Sequence, residues 1–539
     1  MAEARRHGMG RAALGASVGT MIARILGFVR NIALTAAIGT GLVADSFNVA
    51  DNLPNTLFLL LGGGTIAAVF VPQLVRHARV SDHKVEEYGT VLIAVSIIAG
   101  ALVTVLSIVL GPLLVGALGG NAWSDAQSGV ALAFLVWCAP QIFFLAVYWV
   151  VAQILNARGK FSSVSWLPAT SSIVVLIGCI MVLTLGGVAA DDLDAVTPMM
   201  VAALGGTTTL GAAVQTAALL IVLRRQGFRF RWPDGLRGLG LRTTTKTGLF
   251  AALATAAYQL SNVVVVGVTT QAGTAAQRLD SPGRGYTAYF YSQALIGVVS
   301  AIAVASLVTV LLQRLSRHYA VGDHDAANAD LDTAALRIAA VTIPVTGIFL
   351  CLGPAIAEIL FTRGSTDAAA AQIIGFALAL SGLSLFPNAL HRVMLRLFFA
   401  QSDGFRPFLS ALVIGVINVG IVLLAAVFIA PQYVIFVAAA GYSLSFIVEM
   451  PLKARRLRLR GFRLRKLTVV SIVRISAASL GSAIVIAASY LLLRDILFDS
   501  AVALWAYTAL ATTAFLGLYM LATRRSPASL IELVRWLRK

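Results

Sequence analysis

The sequence predicts an all-α polytopic membrane protein. It has about fourteen transmembrane helices, in two parallel six-helix lobes plus two C-terminal helices, with both termini cytoplasmic. Three observations carry this reading: the composition, the spacing of apolar runs, and the charge of the loops between them. Of 539 residues, 59% are hydrophobic and only 12% charged, and mean hydropathy is +0.88. A soluble domain carries about 25% charged residues.

Apolar segments able to cross a hydrocarbon core of about 30 Å fall near 12–37, 46–75, 89–117, 127–156, 163–187, 199–223 and 247–270. They continue at 286–313, 334–361, 368–399, 407–430, 434–452, 468–493 and 501–523. The basic "ARRHGMGR" ahead of the first run resembles a signal peptide, but Arg24 interrupts the run and no cleavage site follows, so it reads as a retained span.

Orientation follows from the lysines and arginines. The loops 224–246 and 453–466 and the tail from Arg524 carry dense positive charge, on the side shared with the N-terminus. The opposite loops hold few basic residues (Arg278, Arg284, Arg363 and Arg494) and the acidic run 191–194. The +18 net charge therefore reads as a topology signal. Nucleic acid would need a soluble basic face, and none is predicted.

"LVRHARVSDH" (74–83) and "LSRHYAVGDH" (315–324) align without gaps, 241 positions apart. Six predicted helices separate the copies, so both have the same orientation. The repeat predicts an N-terminal lobe over 1–240, a C-terminal lobe over 241–466, and an added helix pair with a basic tail over 467–539.

No enzyme constellation emerges. The chain lacks a phosphate-binding G-x-x-x-x-G-K-[ST] loop, HExxH and CxxC, and Cys138, Cys179 and Cys351 all lie in apolar runs. No catalytic residue, metal site or cofactor is expected.

Polar groups at membrane depth are the informative ones. The first two spans hold Arg24, Arg30, Asn31, Asp45, Asn48, Asp51, Asn52 and Asn55, with Pro54 bending the second. Uncharged residues such as Gln259, Asn262, Gln293, Asn388 and Asn418 read as interhelical hydrogen-bond partners, and His391, Arg392 and Arg396 as side chains that snorkel to the membrane surface. Arg24 and Arg30 differ: at 1.5 Å per residue they lie about 18 and 27 Å into the first helix. An aqueous cavity with arginines asks for an anion, although a structural Arg30–Asp45 bridge is the competing reading.

"ARILGFVRNIALTAAIGTGLVADSFNVADNLPNTLFLLLGGGTIAAVFVPQL" resembles the N-terminal signature of the MurJ (MviN) family of lipid II flippases. Arg24, Gly27, Arg30, Asp45, Phe47, Leu53, Pro54, Asn55, Phe70, Val71 and Pro72 match the family pattern. The resemblance implies the multidrug/oligosaccharidyl-lipid/polysaccharide exporter fold in the bacterial plasma membrane. It implies a central cationic cavity and a polyprenyl-tail groove shaped by the last two helices. The implied substrate is lipid II, undecaprenyl-pyrophosphate bearing the peptidoglycan disaccharide-pentapeptide, moved to the outer leaflet by alternating access. Arg24 and Arg30 would bind its pyrophosphate, with Asp45, Asn48, Asn55 and Arg284 around it, and cell-wall synthesis proteins would be partners.

The chain also departs from the family. Where members carry an arginine after the Pro-Asn of the second helix it has Thr56-Leu57-Phe58. Gly63 stands where they have a glutamate, and Ala294 to Gly297 replace a cavity Arg and Glu. Arg278 or Arg284 could substitute from the outer side. Export of another lipid-linked oligosaccharide or a drug, and a non-transporting scaffold role, are the alternatives.

Overall fold

A computed structural model describes residues 2–60, 74, 82–232, 246–301, 318, 323–401, 403–459, 461–497 and 500–523. Among these the secondary structure is helical, with no strand. Ten helices are long and apolar enough to cross a membrane, and two bent helix pairs each pass the same test together. The other two expected spans, 46–75 and 286–313, run into residues outside the described set, as does much of each copy of the 74–83/315–324 repeat.

The chain divides into two compact units, Met1–Thr287 with Gly404–Leu412, and Ala288–Asp403 with Val413–Lys539. The first contains α1 (Ala2–Ile38), α2 (Leu42–Phe58), α3 (Asp82–Val109), α4 (Gly111–Gly119), α5 (Asp125–Cys138), α6 (Gln141–Ala157), α7 (Phe161–Trp166), α8 (Pro168–Thr184), α9 (Pro198–Arg225) and α10 (Lys246–Gln277). Residues 286–301 are helical. Then follow α11 (His324–Phe361), α12 (Ala368–Gly382), α13 (Leu385–Ala400), α14 (Phe405–Phe428), α15 (Pro431–Arg458), α16 (Lys466–Leu497) and α17 (Ala501–Thr523).

The segment at 127–156, long enough to include an interfacial turn, is broken, and so is the one at 368–399. α5 and α6 meet at 41° and α12 and α13 at 47°. At the first break, Pro140 lacks an amide N–H and its ring crowds the carbonyl one turn earlier. At the second, the Ser384 hydroxyl donates to the Ser381 carbonyl at 2.7 Å, an alternative to a continued helical ladder.

The first unit buries Val85, Tyr88 and Leu92 of α3, Val147, Val151 and Leu155 of α6, and Leu219 and Leu223 of α9 in one core with Phe228. The second buries Leu331 and Ile338 of α11, Leu390, Val393 and Leu397 of α13, and Leu457 with Phe462 in another. Each core is closed by the same sequence device, "GFRFR" at 227–231 and "GFRLR" at 461–465. Gly227 (φ 77°) and Gly461 (φ 86°) take the left-handed conformation that ends a helix, and the next phenylalanine folds back under it.

An acid then pins each basic turn. The Glu86 carboxylate accepts the Arg229 backbone N–H at 3.2 Å and pairs with Arg231 at 3.3 Å and Arg158 at 3.5 Å. Asp332 accepts the Arg465 backbone N–H at 3.0 Å and pairs with its guanidinium at 3.5 Å. The repetition of this motif, 234 positions apart, is a second internal repeat.

In the second unit α16 and α17 pack on α11, where the Ser479 hydroxyl donates to the Ile343 carbonyl at 3.0 Å.

Candidate functional site: the arginine-bearing first helix and its neighbours

α1 runs unbroken through Gly27. Its glycines set its partner: β-carbons built at Gly15, Gly19 and Gly27 would meet Ser162, Trp166 and Ser172 in turn. Contacts that rise together in number mean that α1 lies parallel to the α7–α8 segment. Arg24 and Arg30 each stand three residues from Gly27. At about 100° per residue they leave the helix some 60° to either side of the α8 contact. Arg24 is exposed and Arg30 half-buried, close enough to α8 for its charge to act on Cys179.

α2 presents Asp45, Asn48, Asn52 and Asn55 at helical spacing along one face. Its start is held by Asp191, whose carboxylate accepts the Leu42 N–H at 3.1 Å. Asp45 is buried, and its carboxylate accepts the Thr287 N–H at 2.7 Å. Asn48 donates to the Thr287 hydroxyl at 3.0 Å and the Ala44 carbonyl at 2.9 Å. Thr287 lies in the first turn of the helical stretch 286–301, and Gly285 occupies the position where a side chain would ordinarily cap that turn. Asp45 supplies the cap from another helix. A β-carbon at Gly285 would land on the Asp45 carboxylate, so glycine is what lets the acid reach.

The other acid of α2, Asp51, accepts the Gln141 amide at 2.8 Å. Asn52 donates to the Asn48 carbonyl, and Asn55 is half-buried near the end of α2. Asp45 therefore does not pair with Arg30. Arg30 donates to Asn31 at 3.3 Å, and among the described residues its Nε is buried without a hydrogen bond. Among the described residues it has no carboxylate partner, because the two acids of α2 are engaged by neutral donors.

Arg284 is half-buried immediately before Gly285. Arg278 is exposed and donates to the Ala122 carbonyl at 2.6 Å. Gly63, Phe70, Val71 and Pro72 lie outside the described residues. No group of His, Cys, Asp and Glu among the described residues could hold a metal.

His391 does not snorkel. It is buried with Glu449 and Lys453, the latter assigned from sequence to a basic loop. The signal available was Glu449, the one acid of α15, four residues before Lys453. Arg392 and Arg396, by contrast, are exposed.

A helical chain with this many spans long and apolar enough to cross a membrane is a multi-pass membrane protein. A family model described as Lipid II flippase MurJ matches residues 34–515, and the chain belongs to that family. It is 27% identical over 419 residues to a probable lipid II flippase MurJ of Rhizobium meliloti, covering 76% of this chain and 73% of the relative. With a Vibrio cholerae protein of the same description it shares 25% identity over 474 residues, 85% of each. A lipid II flippase MurJ of Burkholderia cenocepacia is 24% identical over 409 residues, 73% of each. Among solved structures, a lipid II flippase MurJ in an inward closed conformation superposes with TM-score 0.72 at 18% identity, covering 95% of this chain and 99% of that one. An inward-facing multidrug resistance MATE family transporter of the MOP superfamily gives 0.60 at 14%, covering 83% and 98%.

Proposed function

We propose that this chain moves lipid II from the inner to the outer leaflet of the bacterial cell membrane by alternating access, without a chemical step. Arg24 and Arg30 are the pyrophosphate contacts. The observation that carries the reading is the isolation of Arg30. A guanidinium in a transmembrane helix is costly unless paired, and the acids of α2, Asp45 and Asp51, are already engaged by Thr287 and Gln141. A diphosphate supplies the missing anion, and guanidinium binds it through planar paired donors with a permanent charge. Arg24 and Arg30 leave α1 on opposite flanks of the α8 contact, so they contact the headgroup separately, Arg24 from its exposed position first. Arg284 is a third cation for the same anion, and Asn55 a neutral donor beside it. Asp45 and Asn48 hold the start of the helical stretch at 286, outside the substrate set. The two units are the moving lobes, and cell-wall synthesis proteins are the partners that would consume the delivered precursor.

A different lipid-linked saccharide is the second reading. It is favoured by Thr56, which is buried where the resemblance leads one to expect an arginine. Complementation of a strain depleted of its own lipid II flippase separates the two. Growth with wild-type chain and none with Arg30→Ala supports lipid II, and failure of the wild-type chain, despite insertion, points to another lipid.

A further inference from the structure

The second unit contains three ionisable side chains that the proposed transport step does not use. Lys453 and Glu449 sit one turn apart on α15 with side chains 0% and 1% exposed, their charged atoms 3.4 Å apart. His391 on α13 faces both. Its Nδ1 is in hydrogen-bond contact with Lys453 Nζ and 3.2 Å from Glu449 Oε2. The Phe446 ring meets the imidazole edge-on at 5.3 Å, walling it off from one side. Beside it, Asn388 donates to the Tyr442 hydroxyl at 3.1 Å and accepts from Arg392 Nε at 3.1 Å.

An ammonium can only donate, so a contact from Lys453 requires an unprotonated Nδ1. Glu449 Oε2, 3.2 Å from Nδ1, is then a second acceptor facing the first with no hydrogen between them. With a neutral imidazole, the charges of Glu449 and Lys453 cancel. We infer that His391, Glu449 and Lys453 form a proton-binding site between α13 and α15, in which proton uptake at His391 Nδ1 rearranges the contact between the two helices. The step balances. Nδ1 gains a proton from water, the Lys453–Nδ1 hydrogen bond breaks, an Nδ1–H to Glu449 Oε2 bond forms, and Lys453 keeps its pairing with Glu449. The net charge rises by one.

The surroundings set what the proton feels. The charges that act on the site from its own helices are Arg392 on α13 and Arg456 on α15. α12 carries no ionisable residue. On α11 the acid nearest in sequence to this core, Asp332, is engaged by Arg465, and Arg474 of α16 is exposed. Beside the site, the hydrophobic core packs Ile338, Leu390, Val393 and Leu457, with Ile472 of α16 against it. A charge gained here is poorly screened, and the helix contact must absorb it.

The test uses the purified full-length chain labelled with ¹⁵N-histidine, titrated across roughly pH 5 to 9. The signal absent from His391→Gln identifies His391. The inference expects that signal to titrate, with proton affinity at least tenfold lower in Glu449→Gln and at least tenfold higher in Lys453→Met. Opposite shifts are required, because one substitution removes the acceptor and the other the competing donor. The protection of amides over 385–400 against hydrogen exchange, with the intrinsic pH dependence of exchange divided out, should change with pH in the wild-type chain and lose that dependence in His391→Gln. Should either single variant fail to fold, the Glu449→Gln/Lys453→Met double variant removes both charges together, and its protection should likewise become independent of pH. A His391 signal that stays constant across the range, shifts of the same sign, or pH-independent protection in the wild-type chain overturns the inference. None of these readings depends on which lipid the chain carries.

Discussion

The carboxylate of Asp45 accepts the backbone N–H of Thr287 at 2.7 Å, across 242 positions of sequence. An acid that the sequence offers as a partner for Arg30 is instead the cap of another helix.

Asp45→Ala removes the acceptor and leaves a buried N–H unsatisfied. It should lower stability by about 1–3 kcal/mol, read as a lower unfolding midpoint in detergent. Asp45→Asn keeps an acceptor oxygen and should lose less. Equal losses would mean that the carboxylate works through its charge elsewhere.

Gly285→Ala drives a β-carbon onto the same carboxylate. It should destabilise by about 1–3 kcal/mol as an overpacked site. In Asp45→Ala the added methyl meets little resistance, so the double variant should cost less than the sum of the two. Strict additivity would contradict the contact.

Glu86→Ala frees the basic turn after α9, where the acid holds the Arg229 N–H and two guanidiniums. Hydrogen exchange at Arg229 should speed by about tenfold, the loss of one charge-assisted hydrogen bond. Asp332→Ala should do the same at Arg465. Unchanged exchange at both would show that the glycine turn stands alone.

Loop charge predicts sidedness. Single cysteines at Ser124 and Asp192 should react with an impermeant thiol reagent added outside cells, and one at Gln226 should not. The reverse pattern would invert the orientation.

Much of the fold is legible because burial in lipid forces long apolar runs. The spans expected at 199–223 and 501–523 appear as Pro198–Arg225 and Ala501–Thr523. The bends near Pro140 and Ser384 are less visible, since hydropathy does not change across them. The arginines of α1 are legible for the same reason the spans are, as exceptions to the apolar rule. Their surroundings are not. Pairing Asp45 with Thr287, or His391 with Glu449 and Lys453, requires knowing which distant helices meet, and one-dimensional charge spacing assigned Lys453 to a loop. The "GFRFR" and "GFRLR" turns could have been matched by eye, but their meaning depends on Glu86 and Asp332, which lie far away in sequence.

Translocation of labelled lipid II in proteoliposomes containing the full-length chain tests the role of Arg30 most directly. The wild-type chain should transfer lipid II between leaflets, Arg30→Ala should not, and Arg30→Lys should recover little because an ammonium lacks the planar donor pair. The charge-swapped Arg30→Asp/Asp45→Arg chain should stay inactive, since the two side chains are not partners. Full transport by the swapped chain would make Arg30 a structural ion pair and contradict its assignment to the pyrophosphate.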